Sequence, residues 1–269
     1  MANGLAPLRM SFHEKVWGST RLAPWFPDSD RKIGEVWYES ERQLPVLVKL
    51  LFTSERLSVQ VHPNDEYAAR NENSRGKTEM WHVLRADPGA GVAVGLTETV
   101  SRERLRELAA TGEIERYLGW IEVKPGDTIF IPAGTIHAIG PGLALCEIQQ
   151  YSDVTYRLYD YGRPRELHLD RGVEVSVAGP YVAPAAPGDG LIARCPYFAV
   201  EELRVGGGVE IAPKQDRFEL FIALEGDGEI GEERFAAAQV WQAAEGARPF
   251  VVRSDGARFL RVWVPDPIA

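Results

Sequence analysis

From Leu44 onward, apolar residues recur in short runs that alternate with polar ones or run unbroken to a turn. PVLVKLLF, LSVQVHP, EMWHVLR, GVAVGL, DTIFIPAG and LALCEIQQ each predict a strand. One stretch breaks the pattern. Ser101 can cap a helix with an apolar stripe of Leu105, Leu108 and Ala109, and Thr111-Gly112 ends it. A shorter helical turn is expected after Pro63, in NDEYAARNE, where acids sit early as the helix dipole prefers. Pro, Ala and Gly dominate VAGPYVAPAAPGDG, residues 177–190, which reads as a linker. Beyond it, YFAVEELRV, GVEIAP, FELFIALEG, FVVRS and RFLRVWVP predict further strands joined by Gly-rich turns. The pattern predicts a mainly β chain of two small barrels or sandwiches with a few short helices: one unit over residues 1–176, the linker 177–190, and a second unit over 191–269.

Strand alternation then sorts the polar residues. In LSVQVH, Ser58, Gln60 and His62 share one face, so Gln60 and His62 can reach a single ion. In GKTEMWHVL, Lys77, Glu79 and Trp81 share a face, and His82 falls on the opposite one, where a structural role is expected. In GDTIFIPAGTIH a strand enters, Pro132-Ala133-Gly134 turns sharply, and His137 is presented on the next strand. Gln60, His62, Glu79 and His137 together offer an amide oxygen, two imidazoles and a carboxylate. Such N/O ligands suit Zn2+, with Mn2+, Fe2+ or Co2+ as substitutes. No Cys belongs to the set, which excludes a thiolate structural zinc site. Four protein ligands saturate a tetrahedral ion, so catalysis requires an expanded shell or a displaced ligand.

The run from Gly126 to His137 is similar to the second cupin signature, G-x5-P-x-G-x2-H. FHEKVWGS, IGEVW, SVQVHPNDEYA, GKTEMW, PAGTIHAIGPG and EIQQYSDVTYRLYDYGR, over roughly residues 12–163, resemble the successive motifs of type I mannose-6-phosphate isomerases in that family's order. They look closest to the short bacterial form. The resemblance implies two cupin-like (jelly-roll) β-barrel domains with zinc in one, its ligands falling on Gln60, His62, Glu79 and His137. It implies catalytic roles for Lys77, Glu147, Asp153 and Arg157, and phosphate contacts for Ser58 and Arg163, where some relatives carry Lys. The implied reaction interconverts mannose 6-phosphate and fructose 6-phosphate through an enediol, with Glu147 or Asp153 as the carbon base. Burial and neighbouring cations are expected to lower the pKa of Lys77. No histidine follows His168, so the second unit lacks imidazole ligands and is expected to cap the first or to wall the sugar pocket.

The net charge of −9 and pI near 5.2 argue against a nucleic-acid or anionic-membrane surface. The partner expected is a small-molecule sugar phosphate, held by local cations against an unfavourable overall field. MANGLAPLRM has no apolar signal core and no run reaches a membrane span, so a cytoplasmic setting is expected. Cys146 and Cys195 belong to no metal spacing and are expected as buried free thiols. GDGEIG, residues 226–231, fits G-x-G-x-x-G, but GEERFAAAQV after it reads as a hairpin return, not a helix that cradles pyrophosphate. The competing readings are another cupin metalloenzyme, an oxygenase, and a non-catalytic sugar-phosphate-binding cupin. Sequence is silent on the oligomeric state.

Overall fold

The strand Val59–Val61 shows how the chain separates its faces. Val59 and Val61 enter an apolar cluster with Leu105, Leu108, Ala109 and Val173 of two helices, while Gln60 between them faces a cavity. The computed structural model describes residues 4–265 apart from 186 and 189. The same alternation organises three sheets of antiparallel strands. A six-stranded sheet runs in the order Arg9–Ser19, Ile33–Glu39, Val46–Phe52, Leu143–Gln150, Glu79–Ala86, Thr128–Ile131. A five-stranded sheet runs Tyr156–Tyr159, Val59–Val61, His137–Ile139, Gly91–Leu96, Leu118–Glu122. Trp17, Leu51, Trp81 and Leu145 of the first meet Val92, Val94 and Ile139 of the second, so the two sheets face each other as in a jelly roll. Among the described residues they remain separate sheets and do not close into one barrel.

Helices Arg102–Thr111 and Leu169–Val175 cover the outer face of the five-stranded sheet. The first is capped by the Ser101 hydroxyl, which accepts from the Arg104 N–H, and ends at Gly112 with φ +80°. The helix Asp65–Glu72 starts at Asn64, whose side chain accepts from the Tyr67 N–H.

The third, eight-stranded sheet has the path Leu5–Pro7, Val240–Ala243, Glu219–Glu225, Phe250–Trp263, Ala199–Ile211, Leu191–Arg194. Its Val200, Leu220, Ile222, Leu260 and Val262 pack on Val48, Leu50, Phe52, Met80 and Ile148, the outer face of the six-stranded sheet. Tyr38 Oη donates to the Ala238 carbonyl at 2.5 Å and Trp25 Nε1 to that of Leu224 at 2.9 Å across this seam. GDGEIG lies in the hairpin Asp227–Ile230/Glu233–Ala236, and among the described residues no helix follows it. Of the segment 177–190, Val177 and Pro180 bridge to Thr135 and Gly95, and residues 186 and 189 lie outside the described ones. Both cysteines are free and buried. Among the described residues, no helix is long and apolar enough to cross a membrane.

Candidate metal centre

Two glycines shape the segment that delivers His137. Gly126 has φ +93° and Gly134 φ +87°, conformations in which a side chain is strained, and a Cβ on Gly134 would lie 3.0 Å from the Val175 carbonyl. The Thr135 N–H donates to the Pro132 carbonyl at 3.1 Å and closes the turn. His137 then sits directly opposite Gln60 in the ladder. Glu79 opens its own strand, and its neighbour Trp81 goes into the core between the two facing sheets.

The ligand atoms converge. One atom each from His62, Glu79 and His137 lie within 4.8 Å of one another, and all three residues are buried. His62 Nδ1 is 2.9 Å from the Val154 carbonyl and His137 Nδ1 2.9 Å from that of Thr135. Each imidazole therefore spends its N–H on the backbone and turns the Nε2 lone pair inward. Burial, then the Lys77 charge, holds the His62 pKa well below its usual value, and burial brings His137 to about 4, so both rings are neutral. Gln60 Nε2 donates to His137 Nε2 at 3.2 Å, and Gln60 Oε1 accepts from Ser58 Oγ at 3.2 Å. Glu79 Oε2 is buried without a hydrogen-bond partner, although Lys77 Nζ is only 2.6 Å away as an ion pair. Two inward lone pairs, an under-satisfied carboxylate and an amide that can turn its oxygen inward fit a divalent cation.

Of these residues, Ser58, Gln60, Lys77 and Glu79 line a cavity of about 230 Å³ whose wall also carries Lys15, Glu35, Lys49, Glu147, Asp153, Arg157 and Arg165, with His62 and His137 buried behind it. Lys77 Nζ donates to Glu147 Oε1 at 3.1 Å and to His62 Nε2 at 3.2 Å. Burial pulls the Lys77 pKa down, but the carboxylates of Glu147 and Glu79 outweigh it and hold the ammonium above its ordinary value. The sequence-based expectation of a lowered pKa fails because Glu79 and Glu147 lie directly against the Lys77 ammonium and outweigh its burial. Burial raises Glu147 to about 7, Lys77 opposing. Asp153 is 67 % exposed, 3.4 Å from the buried Lys49 Nζ. Arg157 lines the cavity, and its Nη1 donates to the Glu166 carbonyl at 2.7 Å.

Ser58 is on the cavity wall, but Arg163 is not among the residues that line it. Arg163 donates instead to Asp160, Glu55 and the Arg56 carbonyl. Lys49 and Arg165 were missed by the sequence reading. Lys49 carried a signal, being a lone cation inside an apolar strand, where lysine is rarely buried unless paired. Arg165 lies in a loop where no periodicity points to a face. His82 faces away from the cavity, its Nδ1 2.9 Å from Thr128 Oγ1.

No family model matches the chain. It is 34% identical to the mannose-6-phosphate isomerase of Streptococcus mutans over 85% of this chain and 88% of that protein. It is likewise 34% identical to the mannose-6-phosphate isomerase ManA of Bacillus subtilis over 81% and 85%. The crystal structure of a Bacillus subtilis mannose 6-phosphate isomerase superposes with a TM-score of 0.85 at 27% identity, covering 95% of this chain and 98% of that one. A zinc-bound mannose 6-phosphate isomerase structure shares the fold at a TM-score of 0.75 and 17% identity, over 97% and 99%.

Proposed function

This chain belongs to the mannose-6-phosphate isomerase family, and we propose that it interconverts mannose 6-phosphate and fructose 6-phosphate at the Gln60, His62, Glu79 and His137 centre. The observation that carries the reading is the convergence of His62, Glu79 and His137 within 4.8 Å, with Glu79 and a buried lysine on the wall of a polar cavity. These residues and Gln60 would hold the metal, Zn2+ by preference for its donors, with Mn2+, Fe2+ or Co2+ as substitutes. A bound divalent ion supplies positive charge for the oxygen that becomes anionic as the carbonyl enolises.

The chain's own residues supply the rest. Isomerisation moves one proton from C2 of the open-chain aldose to C1 and one from the O2 hydroxyl to O1, so that C1=O1 becomes a hydroxyl and C2–O2 a carbonyl, with no net oxidation. Glu147 is the better placed carbon base: it is buried on the cavity wall, whereas Asp153 is largely exposed. Lys77 stays protonated and donates toward the developing oxyanion, and Arg157 adds a second cation on the same wall. Ser58 and Arg163 were expected to hold the phosphate, and the cavity supports this more directly for Ser58. The buried free thiols suit a reducing compartment, and we place the reaction in the cytoplasm.

Replacement Glu147→Gln is expected to keep metal bound while turnover in a coupled isomerase assay falls about 10²–10⁴-fold. Asp153→Asn should fall less. Near-normal turnover in both would remove the base from this account. The oxygenase reading is not favoured, because the relatives are isomerases and the cavity is rich in anion-binding cations.

A further inference from the structure

The loop after Tyr156–Tyr159 is built around one buried carboxylate. Asp160 is 2 % exposed. The Arg163 N–H donates to the Asp160 carbonyl at 3.0 Å across a tight turn, with Tyr161 at φ 53° and Gly162 at φ 76°. Positive φ at both central residues is the primed turn geometry, which only a well-held tyrosine adopts readily. The Asp160 carboxylate then takes Arg165 in a two-pronged grip, Nε at 2.6 Å on Oδ2 and Nη2 at 2.7 Å on Oδ1. Arg163 reaches the same carboxylate at 3.2 Å but points its other amine to Glu55 and the Arg56 carbonyl. The loop is closed where the His168 N–H donates to the Arg157 carbonyl at 2.7 Å and the Arg157 N–H to His168 Nδ1 at 3.1 Å.

Two arginines therefore meet in the cavity wall with donors to spare. A guanidinium carries five N–H groups. Among the described residues, Arg165 spends its bonds on Asp160 alone, leaving its Nη1 without a protein acceptor. Arg157 Nε is buried with no partner at all. Burial, then Arg165, depresses the Arg157 pKa, as expected of like charges brought together. A dianion on Arg165 relieves that repulsion and accepts its unspent N–H groups, which leaves Arg157 to the developing oxyanion.

We propose that Arg165, aligned by Asp160, grips the phosphate of the substrate, the role first expected of Arg163, and that Asp160 acts as its positioning residue. Arg163 braces the turn against the Glu55–Arg56 loop. This assignment rests on the isomerase reading for its substrate, a phosphate monoester dianion. The fork of Arg165 suits two phosphate oxygens at once, which a lysine cannot match.

The test compares Arg165→Ala, Arg165→Lys, Asp160→Asn and Arg163→Ala. Arg165→Ala should raise KM for mannose 6-phosphate about 10–100-fold with kcat changed far less, because a charge-assisted contact remote from the reacting carbons is lost. Inhibition by inorganic phosphate should weaken in parallel. Arg165→Lys should recover part of KM, Asp160→Asn should shift KM the same way, and Arg163→Ala should change it about twofold or less. If Asp160→Asn does not fold, the Arg165 pair decides, since Arg163 still holds Asp160 there. Calorimetric titration of inorganic phosphate into the wild type and Arg165→Ala separates this proposal from the isomerase reading. Lost phosphate binding without any isomerase activity in the wild type would sink only the reading. A larger KM effect and phosphate-binding loss in Arg163→Ala than in Arg165→Ala overturns the proposal.

Discussion

At the scale of single residues, the inner wall of the six-stranded sheet is a row of opposite charges out of water. Trp37, Lys49, Glu147 and Trp81 stand opposite one another across four strands. Lys49 Nζ lies 4.2 Å over the Trp37 ring, with Glu35, Glu147 and Asp153 on the same wall. Taking away one member of a buried charge row costs far more than taking away an exposed one. Lys49→Met is therefore expected to destabilise the fold by about 3 kcal/mol, and Asp153→Asn by less than about 1 kcal/mol. Urea unfolding of both variants checks this, and equal losses would contradict it. That Gln60, His62, Glu79 and His137 come together could be read from sequence because a strand repeats every two residues and a Pro-Ala-Gly turn announces the next strand. The choice between Glu147 and Asp153 could not, since it turns on burial: 3 % exposure for the Glu147 residue and 67 % for the Asp153 side chain.

At the scale of elements, the strand Glu79–Ala86 serves two sides of the molecule. Glu79 and Trp81 face the cavity and core, while Met80 and His82 face the third sheet. His82 Nε2 is buried without a partner, and burial, then Arg258, lowers its pKa to about 4, with Glu202, Asp127 and Glu225 opposing. A histidine depressed in the folded state binds its proton more readily when unfolded. Its contribution is complete above the usual value near 6.5 and is lost as pH falls toward 4. The loss is on the order of 3 kcal/mol. His62 and His137 act in the same direction and remain in the variant, so the readout is the difference between wild type and His82→Gln: the gap between melting curves at pH 7 and 4.5 should be narrower for the variant. An unchanged pH dependence would show that His82 stays neutral or exposed. The helix Arg102–Thr111 was legible because Ser101 and Gly112 mark its ends. Arg9–Ser19 was not, because this edge strand exposes its apolar Met10, Phe12 and Val16 and half-buries Ser11, His13 and Lys15 between them, so its pattern gives no apolar face.

At the scale of the whole molecule, the layers assign the work. Helices back the five-stranded sheet, the cavity lies between it and the six-stranded sheet, and the third sheet seals the far side. Among the described residues, none beyond Arg165 lines the cavity, so the C-terminal strands support the site from behind. Sequence could not show this, nor that Leu5–Pro7 pairs with Val240–Ala243, because both are contacts between distant parts of the chain. The account turns on one ion held by Gln60, His62, Glu79 and His137. The direct measurement is metal content by mass spectrometry together with coupled isomerase activity, before chelation, after it, and after adding back Zn2+ or Mn2+. One ion per chain, activity lost with it and restored by it, and no bound ion in His137→Ala is the expected result. Full turnover by metal-free protein, or an ion retained when His62, Glu79 and His137 are all replaced by Ala, would contradict it.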